Sequence, residues 1–175
     1  MEDYIRQLRA TYTSGLYYFT LFGTLSLIDF CAALNSPSGE TTRELFKEWF
    51  NKYLPQYSST SLGSAIGLSA DECYKFRCRM LHQFRAEIDA PSMDHTVKSG
   101  KIAFAIEGNT IHRCNFGGVY YLDIQTFMED VISATERWTN DTANLPHVEE
   151  NRKKMVKVRD YDPGHGIGGW GKYIA

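Results

Sequence analysis

Apolar positions in this chain recur mostly at intervals of three and four, the spacing of helices that bury one face. Residues 2–12 read as a short helix with a polar face, broken near "TSG" at Thr13 to Gly15. Residues 16–34, "LYYFTLFGTLSLIDFCAAL", are apolar on every side and predict a buried central helix, stopped at "NSPSG" by Pro37 and Gly39. Thr41 and Glu44 have the spacing of a capping box ahead of "RELFKEWFNKYL". That helix places Leu45, Phe46, Trp49, Phe50 and Tyr53 on one buried face. After the Ser-rich loop "YSSTSLGS", Ser69 and Glu72 form a second capping box and open a helix expected to reach about Ile88, with Pro91 as its limit.

The period then changes. "KIAFAI", residues 101–106, alternates as a strand does, Gly108-Asn109 suits a tight turn, and "TIHRC" is predicted to return as the second strand of a hairpin. Beyond "FGG", Asp123 can cap "IQTFMEDVISATERW", whose Ile124, Phe127, Met128, Val131, Thr135 and Trp138 share one face. From about residue 141 the chain is charged ("EENRKKMVKVRD") and then glycine-rich ("PGHGIGGWGK"), and is expected to pack little against the rest. The pattern predicts a domain over residues 1–140 and a tail over 141–175. The fold class is mainly α: a bundle of four to five helices with a small β-hairpin inserted before the last helix.

Composition narrows the function classes. With 175 residues, 43% of them apolar, the chain can build one sizeable core. Nineteen basic against 21 acidic residues leave a net charge of -2, which excludes a strong overall field for nucleic acid or anionic membrane. A local patch remains open. The four cysteines lack CxxC spacing and no secretory signal pattern opens the chain, so reduced thiols and a cytoplasmic location are expected. The five histidines are scattered, and neither metal nor cofactor is expected. Residues 16–34 approach membrane-spanning length, yet they carry Asp29, three Ser/Thr hydroxyls and Gly23 without basic flanks at both ends. A central helix, with no membrane, is the expectation.

Two charges break the pattern. Advancing about 100° per residue, Cys73, Phe76, Met80, Leu81, Phe84 and Ile88 fill one arc, with Arg77 in its middle. A guanidinium cannot lose its proton, and burying it alone costs several kcal/mol. Asp29 is the only charged residue between Arg9 and Glu40. The two are expected to meet as a bidentate pair. His82 lies about 140° round from Arg77, at the edge of the apolar face.

The stretch "RCRMLH", Arg77 to His82, resembles the R-x(4–6)-H motif of HEPN domains, helical bundles found in many prokaryotic toxins and defence proteins. The order of "LSLIDFCAAL", "WFNKYL", "CYKFRCRMLH" and "FMEDVISATERW" also resembles a group of short bacterial HEPN-like proteins, covering roughly residues 16–138. This resemblance implies a homodimer whose paired Arg/His sites cut RNA without metal. Carried over by position, Arg77 would be the phosphate clamp and His82 the general acid/base; both side chains suit those roles. One departure is Cys78, which follows the arginine where active members often have Asn, Asp or His. Many HEPN-like domains are non-catalytic, so an interaction domain with structural Arg77 and His82 stands as the alternative. The tail, with "NRKKMVKVR", offers cations for RNA or a protein partner. "GIGGWGKY" lacks the hydroxyl residue and the following helix of a phosphate-binding loop, and is rejected as one.

Overall fold

The computed structural model describes residues 1–58, 67–85, 101–106, 111–160 and 172–174. The helical period becomes α1 (Glu2–Thr13), α2 (Tyr17–Asn35), α3 (Arg43–Tyr53), a 3-10 turn at Pro55–Ser58, and α4 (Ala70–Gln83). After these come β1 (Lys101–Ala105), β2 (Cys114–Phe116), β3 (Val119–Asp123), α5 (Ile124–Asp141) and α6 (Pro146–Lys153). Strands β4 (Val158–Asp160) and β5 (Lys172–Ile174) pair antiparallel. The chain is mainly α, as expected, with six α-helices and a three-stranded sheet among the described residues.

α2 is the centre. By length and composition it is apolar enough to cross a membrane. Here it is surrounded by helices, with Leu25, Leu27, Ile28 and Cys31 fully buried. Its first turns depart from the expectation of burial on all sides, since Tyr18 and Phe19 are 63% and 62% exposed. α5 runs parallel to it, stepping from Cys31 beside Thr135 (3.5 Å) to Asn35 accepting from the Trp138 indole (3.3 Å). Every residue assigned to the inward face of α5 is buried. On α3, Phe46, Trp49, Phe50 and Tyr53 are buried, and Leu45 packs partly against them.

The caps follow the local rule of supplying acceptors to first-turn amides. Ser69 and Glu72 form the reciprocal box, and Asp123 accepts from Thr126 at 2.8 Å. The cap of α3 is Thr42, which accepts from Leu45, instead of Thr41 with Glu44. Adjacent threonines offer the same hydroxyl, and spacing alone does not choose between them.

Two larger expectations are corrected. The hairpin joins β2 to β3 through Gly117-Gly118, both with positive φ (60° and 83°), the backbone that a tight twisted hairpin turn requires. β1 is a strand as expected, but it pairs parallel with β3, Ile102 opposite Tyr120 and Phe104 opposite Leu122. Of the described residues of the "TIHRC" segment, 111–114, only Cys114 enters a strand, because Arg113 turns with φ 54°. Gly108-Asn109 lies outside the described residues. The second correction concerns residues beyond 141, expected to pack little. α6 buries Val148 completely and docks on α2. Asn151, also buried, donates to the carbonyls of Leu34 (3.2 Å) and Ser36 (2.8 Å), satisfying the end of α2. Gly39 has φ 77°, and a Cβ there would lie 2.9 Å from the Asn151 side-chain oxygen, so the loop closes over this amide only as glycine. α5 is therefore followed by a further packed helix.

Candidate functional site

α4 carries both residues singled out from the sequence. The capping box starts it, and Cys73, Phe76 and Met80 turn one face into the core. It stops at Gln83, short of Ile88, because Phe84 takes a left-handed conformation (φ 55°) that closes the helix end. Phe84 therefore leaves the apolar arc on which it was placed and is 60% exposed.

Arg77 and Asp29 meet. The guanidinium Nε donates to Oδ2 of Asp29, linking α4 to α2. The pair is not bidentate: Oδ1 of Asp29 is buried with no hydrogen-bond partner among the described residues. Arg77 also directs Nη1 toward Sγ of the neighbouring Cys78 at 3.7 Å. Its side chain retains 20% exposure, against 7% for Asp29, so the arginine stays partly open to solvent while the carboxylate is buried. Burial pushes the Asp29 carboxyl up, and the Arg77 and His82 charges pull it partly back.

A second contact orders the same two helices. Phe84 lies 5.2 Å from Tyr18 and 6.0 Å from Phe22, ring centre to ring centre. Phe22 precedes Asp29 by seven residues and Phe84 follows Arg77 by seven, so α2 and α4 are antiparallel and touch at points about two turns apart. His82 lies between those two levels, exposed on α4. α4 thus carries an anchored guanidinium, an exposed imidazole about 140° round the helix from it, and at its C-terminal end an exposed aromatic ring against Tyr18 of α2. Arginine held this way can bind a phosphate, and an exposed histidine can exchange protons with solvent or substrate.

Sequence reasoning missed a second polar cluster. Tyr57, fully buried, donates to Oδ2 of Asp130 at 2.9 Å and lies 3.3 Å from Nε2 of His112. Nδ1 of His112 accepts the Asp123 amide (3.2 Å), which puts the ring proton on Nε2, facing Tyr57 and Asp130. Burial pushes Asp130 up, but hydrogen bonds from His112, Tyr57 and Gln56 outweigh it and hold the carboxyl below the usual range. These groups come from three separate segments, so no local spacing announces them. The one signal is His112 itself, polar within a segment expected to be a strand. The cluster ties the 3-10 turn, the sheet and α5 together.

Among the described residues no group of three or more His, Cys, Asp or Glu side chains is placed to hold a metal ion. Comparison of the chain with known protein families, curated proteins and solved structures finds no match.

Proposed function

We propose that the protein is a metal-independent endoribonuclease of toxin or defence type, with Arg77 as phosphate clamp and His82 as general acid/base. The observation that carries this reading is Arg77: Asp29 anchors its guanidinium while the side chain keeps 20% exposure, about two helical turns from an exposed aromatic cluster that includes Phe84. Aromatic rings beside cations are a stacking surface for unpaired bases, so single-stranded RNA is the substrate class. One histidine per site supplies one proton-transfer group, whereas phosphodiester cleavage uses an acid and a base, so the active form is a homodimer that brings two copies of His82 together. The reading places the protein in the cytoplasm, free of membrane, with the cations of its C-terminal segment open to a protein partner.

A second reading has its own support. The Asp29–Arg77 link joins two core helices, and a helix tie of this kind serves a non-catalytic HEPN-like interaction domain equally well. Incubation with single-stranded RNA in EDTA separates the two. The first reading expects cleavage by the wild type that vanishes in His82→Ala, a variant at an exposed position that leaves the fold intact, and falls in Arg77→Lys. A folded, dimeric wild type that cleaves no RNA leaves the interaction domain.

A further inference from the structure

β4 and β5 form a sheet of two strands, with Val158 directly opposite Ile174. Two strands alone hold poorly in water, and an open strand edge is a template for a further strand. The described side chains of this pair are all exposed: Val158 at 44%, Ile174 at 73%, and Arg159 and Lys172 with them. Alternation sorts them by face. Opposed residues share a face, so Val158 and Ile174 make an apolar strip and Arg159 projects from the other side. The sequence carries the alternation back through exposed Lys157 to Val156, which is 70% exposed. Among the described residues neither Lys157 nor Arg159 has an ion pair or a side-chain hydrogen bond. Residues 154–159, "KMVKVR", hold three cations and no acid.

We propose that the outer edge of β4 takes up an extended acidic segment of a partner protein as a third strand. That edge has no strand neighbour among the described residues. Its backbone groups would pair with the incoming segment, and alternate side chains would set the choice of partner. On one face apolar residues would cover Val156 and Val158; on the other, Asp or Glu would stand across from Lys157 and Arg159, as opposite charges on neighbouring strands do. A second copy of this chain is a poor occupant of the same edge. With the apolar faces aligned, its own Lys157 and Arg159 would meet the same two cations, and like charges across strands repel. This surface gives a form to the partner proposed for the C-terminal segment. It uses no residue of α4 and stands apart from the ribonuclease chemistry.

Fluorescence anisotropy of labelled peptides added to the full chain tests this. The probe is a capped peptide of alternating Val and Glu, about eight residues long, the length of a strand. One control carries Lys in place of Glu. Another carries two adjacent prolines at its centre, one of which must face the ladder without a donor. The wild type is expected to saturate with the Glu peptide and to bind each control about tenfold or more weakly. Lys157→Glu/Arg159→Glu, at two exposed positions, should invert the preference to the Lys peptide with an unchanged melting temperature. Absence of saturable binding of the Glu peptide, equal binding of the proline peptide, or an unchanged preference in the folded double variant overturns the assignment. Binding of a single-stranded RNA oligomer that the double variant abolishes, with no peptide bound, overturns it in favour of nucleic acid. Peptide binding and RNA cleavage are separate readouts, so either can fail alone.

Discussion

Arg77 on α4 donates its Nε–H to Asp29 on α2, joining two helices through residues 48 positions apart. Among the described residues Arg77 is the one hydrogen-bond partner of the Asp29 carboxylate, so removing Arg77 strands it. Asp29→Ala and Arg77→Ala should each destabilise the fold by about 3 kcal/mol, the lower end for a broken buried pair, because Arg77 keeps some solvent contact. The double variant Asp29→Leu/Arg77→Met should recover most of that loss. A double-mutant cycle in urea measures it. Simple addition of the single losses would show that the two side chains are not coupled.

Phe84 occupies a backbone conformation in which glycine is the cheaper residue by about 1–2 kcal/mol, and it is largely exposed. Phe84→Gly should therefore leave thermal stability unchanged or raise it, despite the lost contacts with Tyr18 and Phe22. Binding of single-stranded RNA should weaken in the same variant. Calorimetry with an RNA oligomer, beside a melting curve, separates these effects. A fall in stability with unchanged RNA binding would make the ring a purely structural plug.

Asp130 gives an acid-side prediction. Its carboxyl is depressed in the folded state, so its contribution is present above the unfolded value and is lost as pH falls through the folded one. The difference in stability between wild type and Asp130→Asn should shrink as pH falls below about 4, the ordinary carboxylate value. Denaturant titrations across that range measure it. A difference that grows on acidification would mean that the hydrogen bonds to Tyr57 and His112 do not govern this carboxyl.

Asn151 tests whether the segment beyond residue 141 belongs to the folded unit. Asn151→Ala takes the side-chain donor from the Leu34 carbonyl and leaves that of Ser36 with the Gly39 amide alone, and should cost about 1–3 kcal/mol. Hydrogen exchange should quicken in the last turn of α2 as well as in α6. Unchanged protection in α2 would show that α6 merely rests on it.

These positions also show what was legible in the sequence. The Asp29–Arg77 contact was, because two lone charges in apolar surroundings must find each other. The inward faces of α3 and α5 were legible too, since their period is local. The sheet was not: β1 takes the free edge of β3, a choice made by packing among distant segments. α6 was missed because one buried Val148 and one buried Asn151 leave a mostly charged helix looking like a solvated run. The Tyr57–His112–Asp130 cluster exists only once three segments have assembled.

The Asn151 contact also sets an order of events during synthesis. Residues 17–35 leave the ribosome long before Asn151, which closes its bonds to Leu34 and Ser36 across 117 and 115 positions. Through most of translation the nascent α2 is therefore an apolar helix with an unfinished end, long and apolar enough by composition to cross a membrane. Stalling between α5 and α6 would leave that helix packed on its flanks and still open at one tip.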